Sequence, residues 1–368
     1  MRRTAVAALV ALALIFVACQ SATVLSDGRV LLFMGGRTAV FDPSTGALSV
    51  APGVGTMRIA HTATLLDDGR VLLAGGLTND AQGQSAASTS ADLCDPATGA
   101  IAATGSLSAP RALHAAARLA DGRVLISGGC QVCDIEKPEN FKMSQAAELY
   151  DPQSGMFSPG LAEMPRFFHT ATTLGDGRVL LAAGMDMAGP ITAAELFDPA
   201  TDKFTTAPGA SASRTLHTAT LLDDGRVLVV GGVERAQAGS GGTGTPLTTA
   251  ELFDPATGTF SPTGSTAVGH AAHTATLLRD GRVLVAGGMD AQNKAVGTAE
   301  LYDPKTGTFS PTGTMAIPLA LHTASLLADG RVLLWGLDVA ATSSSTTDPF
   351  ALVEVYDPAT GTFAALER

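Results

Sequence analysis

Six histidines head successive copies of one short motif: His61, His114, His169, His217, His273 and His322. Imidazoles gathered by a repeat are candidate ligands for zinc or copper. Each has a carboxylate later in its own copy: Asp92, Glu148, Glu195, Glu251, Glu300 and Glu354. The first copy lacks both groups, and Ala39 holds its acidic slot. That joint loss predicts that histidine and carboxylate serve each other in every copy, as packing and not as a metal ring. No metal and no cofactor are expected on that reading. Arg58, Arg111, Arg166 and Arg214 stand three residues before their histidines, with His270 and Leu319 in the last two copies. These arginines form a possible ligand face for an acidic group.

The elements that position these groups follow from the repeat. Asp-Gly-Arg-Val occurs seven times, beginning at Asp27, Asp68, Asp121, Asp176, Asp224, Asp280 and Asp329. Around each copy four strands can be read, A to D. Asp-Gly marks a tight A–B hairpin, because its turn needs positive φ. Strand B is rich in β-branched residues and ends at a Gly-Gly pair, decayed to Ala183-Gly184 and Trp335-Gly336 in two copies. Strand C ends at Asp-Pro, and a Gly three residues after the Pro, as in Pro255-Ala-Thr-Gly258, suits the C–D turn. Strands apolar on both sides need cover on both sides, and radial stacking supplies it. The fold class expected is all-β, a seven-bladed β-propeller of four-stranded antiparallel blades over residues 20–368. The alternative is six full blades plus a degraded first one.

Antiparallel order sets B's first residue beside C's last, pairing Arg29 with Asp42, Arg70 with Asp95, Arg123 with Asp151, Arg178 with Asp198, Arg226 with Asp254, Arg282 with Asp303 and Arg331 with Asp357. Cross-strand Arg–Asp contacts are expected there.

The register of Gly-Gly after the second strand and an aromatic in the fourth resembles the kelch family. The aromatic here is Phe157, Phe204, Phe260, Phe309 or Phe363 where the family usually has Trp. A seven-bladed kelch ring also resembles the central domain of galactose-oxidase-like copper enzymes. That resemblance implies a radical Tyr cross-linked to Cys, a second Tyr and His ligands. The three tyrosines here, Tyr150, Tyr302 and Tyr356, all sit in the strand-C Tyr-Asp-Pro slot, away from a central site. No nucleophile elbow, phosphate loop or His-Glu-x-x-His is present.

Net charge is −11 and the arginines are dispersed, which argues against nucleic acid as a partner. Arg2 and Arg3 precede an apolar run from Ala5 to Val17, which reads as a signal peptide over residues 1–19. Phe16-Val17-Ala18-Cys19 resembles a bacterial lipobox, which implies lipidation at Cys19 and an outer-membrane or cell-surface lipoprotein; plain cleavage to a secreted or periplasmic protein is the alternative. The only membrane contact expected is that lipid. Cys130 and Cys133 lack a second ligand pair and are expected to form a local disulfide in an oxidising compartment. The B–C loops differ widely, as residues 77–90, 130–145, 233–249 and 337–351 show beside the brief 185–192. Varied loops on a fixed scaffold are where recognition usually sits. The functional expectation is a monomeric, non-enzymatic binding scaffold for a protein or small ligand, with a galactose-oxidase-like redox enzyme or a degenerate relative as the alternative.

Overall fold

The computed structural model describes residues 20–34, 36–79, 85–134, 140–234, 244–336 and 353–365. Their fold is a β-propeller of seven four-stranded antiparallel blades, with no α-helix. No helix among the described residues is long and apolar enough to cross a membrane. Two compact units divide the chain. The first comprises 1–181, 185–189 and 195–206; the second comprises 182–184, 190–194 and 207–368.

In the first unit, blade 1 runs Gln20–Val24, Val30–Met34, Arg37–Asp42, Ala47–Val54 as strands A to D. Blade 2 is Thr62–Leu65, Val71–Ala74, Ala91–Asp95, Ala100–Ala103. Blade 3 is Ala115–Arg118, Val124–Ser127, Ala146–Asp151, Met156–Ala162. Blade 4 is Thr170–Thr173, Val179–Ala182, Ala194–Asp198, Lys203–Ala207, with Ala182, Ala194 and Ala207 grouped with the second unit. The second unit holds blade 5 (Thr218–Leu221, Val227–Val230, Ala250–Asp254, Thr259–Pro262), blade 6 (Thr274–Leu277, Val283–Ala286, Ala299–Asp303, Thr308–Pro311) and blade 7 (Thr323–Leu326, Val332–Trp335, Val353–Asp357, Thr362–Ala365). Blade 1 therefore has all four strands, and the alternative of a degraded first blade is set aside.

Strand B is buried throughout because its two faces serve two neighbours. Val71 and Leu73 pack with Leu31 and Phe33 of blade 1, while Leu72 and Ala74 pack with Val124, Ile126 and Tyr150 of blade 3. The same alternation joins blade 3 to 4, blade 5 to 6 and blade 6 to 7. Every Asp-Gly turn has its glycine at φ between +83° and +90°, where a side chain is strained. The register Thr323↔Trp335 makes Trp335 the last residue of strand B, with Gly336 directly after it.

Candidate functional site

At the loop end of each blade the expected His–carboxylate pairs do not form. The carboxylates instead bind the arginines. Arg58 meets Asp92 at 2.6 Å, and Arg111–Glu148, Arg166–Glu195 and Arg214–Glu251 each meet at 2.7 Å. Arg58, Arg111, Arg166 and Arg214 are at most 1% exposed, so they are not a ligand face. Their length explains the exchange. Arg58, Arg111 and Arg214 reach over the Gly-Gly end of strand B, donating to Gly75 O, Gly128 O and Gly231 O, and Arg58 also donates to Ser90 O at 3.0 Å. The acid's remaining capacity is taken by the D–A loop, as where Ser108 N–H donates to Glu148 at 2.8 Å. In blade 6 His270 fills the arginine slot and approaches Glu300 at 3.3 Å.

Five of the six histidines hydrogen-bond the preceding blade through Nε2. Nε2 of His61 lies 3.1 Å from Ser21 Oγ, that of His114 3.0 Å from Thr62 Oγ1, that of His273 2.9 Å from Thr218 Oγ1 and that of His322 3.0 Å from Thr274 Oγ1. Two features aim the rings. The residue before every one of these histidines (Ala60, Leu113, Phe168, Leu216, Ala272 and Leu321) has φ between +52° and +59°. The first glycine of the preceding Gly-Gly leaves room for the ring: a Cβ on Gly75 would lie 2.8 Å from His114 Cε1 and 2.5 Å from Arg111 O. Burial, with Arg58 and Arg214 nearby, pushes His61 and His217 down to about 3, and burial alone does so for His322. His61 and His322 are therefore neutral connectors between one blade and the next. Among the described residues no three His, Cys, Asp or Glu side chains are placed to hold a metal ion.

A left-handed alanine is costly, which yields a test of this geometry. Ala272→Gly should stabilise the protein by about 0.5–1 kcal/mol in urea unfolding, where an ordinary strand Ala→Gly destabilises it. A loss of stability would show that φ at this position is not strained.

One junction departs from the pattern. His114 is followed by Ala115, which has no hydroxyl to offer the next blade. Ser127, directly opposite Ala115 in the register, supplies it: Ser127 Oγ lies 3.0 Å from His169 Nε2. The same hydroxyl donates to Glu163 Oε2 at 2.8 Å, and Gly128 N–H donates to Oε1 at 2.7 Å. Burial pushes the Glu163 carboxyl up to about 7. In blade 7 Leu319 leaves the fully buried Glu354 without a cation among the described residues; Oε1 accepts from Ile317 N–H at 2.8 Å, Oε2 has no partner among them, and burial raises its pKa.

At the turn end the expected cross-strand contacts also give way. Arg70 binds Asp68 and not Asp95, Arg226 binds Asp224 and not Asp254, and Arg282 binds Asp280 and not Asp303, at 2.5–2.6 Å. The same intraturn pairing holds for Arg29, Arg123, Arg178 and Arg331. A partner two residues away in a rigid turn costs less side-chain entropy than one across the strands. Asp95 and Asp254 instead cap their own turns, accepting from Ala97 and Ala256 N–H at 2.9 and 2.8 Å. Arg123 additionally reaches blade 4, donating to Asp202 at 3.0 Å and to Pro199 O at 2.9 Å. Near blades 6 and 7 an open cleft of about 260 Å³ is lined by such turn residues, among them Arg279, Asp280, Asp329 and Asp357.

The tyrosines are fully buried connectors as well. Tyr150, Tyr302 and Tyr356 hydrogen-bond Thr104, Thr263 and Thr312 of the preceding blades at 3.0, 2.8 and 2.9 Å. Sequence reading missed these pairs, although a Thr-Gly step before each Tyr-bearing blade announces them. Cys94 is buried and free, whereas Cys130 and Cys133 are joined in a disulfide with Cα atoms 5.5 Å apart. Cys19 lies outside the described residues.

The loop ends are built on a fixed frame. Isolated bridges pair Ile59 with Leu77, Ala112 with Cys130, Phe167 with Met185, Thr215 with Val233 and Ala271 with Met289. From this frame the B–C loops of blades 2 to 4 rise as two-stranded ribbons, Leu77–Asn79 with Ser85–Ala87, Cys130–Val132 with Lys142–Met143, and Met185–Asp186 with Gly189–Pro190. Val132, 43% exposed, stands within the disulfide loop of the second ribbon.

Residues 271–316 match the family model described as Kelch motif. None of the curated proteins matches the chain in sequence. Among solved structures the fold is similar to a fungal alcohol oxidase of the AA5 family in complex with copper, at 19% identity and a TM-score of 0.67, covering 87% of this chain and 70% of that one. It is also similar to YjhT, at 16% identity and a TM-score of 0.62, covering 80% of this chain and 97% of that one. At these identities the likeness is one of fold.

Proposed function

We propose that this chain, a kelch-repeat β-propeller, is an exported, monomeric, non-catalytic scaffold that binds a protein or small ligand through the loop ends of its blades. The observation that carries the reading is the contrast at those ends. A repeated backbone frame supports ribbons of different length, while the arginines and carboxylates beneath are paired with one another and histidines bridge neighbouring blades. Recognition by varied loops on a rigid support is the usual use of such a frame. The disulfide supports an oxidising compartment, and the signal-like segment 1–19 with its lipobox-like end at Cys19 supports export and a lipid anchor. The copper-oxidase alternative draws on the fold likeness alone, and the buried tyrosines hydrogen-bonded to threonines weigh against it.

The test replaces residues 130–143 with the short 185–190 turn. Capture of a partner from cell-envelope extract should be lost while thermal stability is retained. Unchanged capture after this and the corresponding swaps in blades 2 and 5, or copper-dependent oxidation of alcohols by the purified protein, would overturn the proposal.

A further inference from the structure

Seven Asp-Gly steps in one chain are a chemical liability. The glycine amide nitrogen can attack the aspartate Cγ. A C–N bond forms, the C–O bond breaks, and one carboxyl oxygen leaves as water, taking up the amide proton and the acid proton. The resulting succinimide adds water at either carbonyl and opens to aspartate or isoaspartate. Glycine favours this reaction because no side chain obstructs the ring. Asp-Gly turns exposed to solvent are therefore sites of spontaneous backbone modification, and here every blade carries one.

The geometry of the turns opposes each requirement of the reaction. In all seven, the arginine Nε lies 2.7–2.9 Å from aspartate Oδ2. Its Nη2 lies 2.5–2.7 Å from the same oxygen. The arginine backbone N–H holds Oδ1 at 3.0 Å, so neither oxygen rotates freely. The nucleophile is tied down too. Each glycine N–H donates to the carbonyl of the leucine three residues before it, at 3.0–3.1 Å, as Gly225 does to Leu222 and Gly281 to Leu278. An amide engaged in this way stays planar and directs its hydrogen away from the carboxyl group. The leaving oxygen departs as water only from the protonated acid, and the Arg226 hydrogen bond holds Asp224 below the usual carboxylate range.

These pairs are exposed, so their contribution to folding is small. A role in stability does not account for a bidentate clasp kept in all seven turns at the cost of a fixed arginine side chain. We propose that the arginine of each Asp-Gly-Arg turn is a chemical guard, and that each turn is a latent isoaspartate site held closed by its clasp.

The test uses the full chain carrying Arg226→Ala, and separately Arg226→Lys, which keeps the charge but loses the planar fork. Both are incubated warm in mild acid and mapped by peptide mass spectrometry for loss of one water and for isoaspartate. The six untouched turns are controls within the same molecules. Asp224 should cyclise about fivefold faster than those six in Arg226→Ala, the ratio set by losing an exposed clasp worth about 1 kcal/mol. Arg226→Lys should also exceed the six controls. In urea, all seven turns of the unsubstituted chain should react faster than in the folded protein. Equal rates at Asp224 and the other turns in both variants, or equal rates in the folded and unfolded chain, would overturn the proposal.

Discussion

Arg111→Met should destabilise the protein by about 3–5 kcal/mol near neutral pH, because it strands a carboxylate that is 1% exposed. The guanidinium donates to Glu148 at 2.7 Å, to Ala146 O at 3.0 Å and to Gly128 O at 3.2 Å. Methionine fills much of the volume and satisfies none of the three acceptors. Glu148 then has only the Ser108 N–H left. The deficit should shrink as pH falls, because protonation removes the uncompensated charge. Adding Glu148→Met should recover most of the loss, since two apolar side chains leave no buried ion. Urea midpoints of the single variants, the double variant and the parent form the cycle that measures the coupling. A single-variant loss under 1 kcal/mol, or a double variant no better than the single, would sink the argument. Blade 7 shows the same imbalance naturally: Leu319 occupies the slot, and Glu354, with no cation among the described residues, is pushed toward its neutral form.

The arginine–carboxylate exchange marks how far the sequence was readable. Blade number, strand order and the hairpin turns follow from residues that have few alternatives: Gly at positive φ, Asp before Pro, and apolar runs of strand length. Side-chain partners do not follow, because they depend on reach and direction. Histidine and carboxylate occur together in all six regular blades, whereas Leu319 breaks the arginine series, so co-occurrence favoured the wrong pair. What decides the matter is the left-handed residue before each histidine, and these are Ala, Leu or Phe with no glycine to announce the conformation. The Asp-Gly-Arg clasp was equally hidden, since register alone puts Arg226 beside Asp254 while the turn puts it on Asp224. By contrast, the Thr–Tyr connectors were written in plain sight. Thr104, Thr263 and Thr312 precede the blades bearing Tyr150, Tyr302 and Tyr356, whereas blade 4 carries Phe197, which has no hydroxyl to engage. Ser127 was legible too, as the one hydroxyl at the end of an otherwise apolar strand B.

That serine leads to the second large effect, a contribution of Glu163 to stability that falls as pH rises, opposite in sign to that of the buried histidines. Glu163 touches Ser127 and Gly128 on blade 3, and its surroundings also carry Arg111, Glu195, Arg166 and His169. Burial outweighs the hydrogen bonds and the arginine charges and lifts its pKa from 4.5 to about 7. The folded state therefore keeps a proton that the unfolded chain gives up first. Below pH 4.5 Glu163 is protonated in both states and its full contribution is present; between pH 4.5 and about 7 that contribution is lost, by at most about 3 kcal/mol. The proton also sets the direction of the chain of hydrogen bonds. With Glu163 neutral, Oε2–H donates to Ser127 and the serine hydroxyl donates to His169 Nε2. With Glu163 ionised, the serine donates to the carboxylate, and His169 must present Nε2–H instead. Glu163→Gln preserves the first arrangement at every pH, with its amide N–H donating to the serine. It should match the parent near the acid end of the window and exceed it by up to about 3 kcal/mol above pH 7. Urea titrations of both proteins across this range read the difference directly, and parallel pH profiles would mean that Glu163 is ionised throughout.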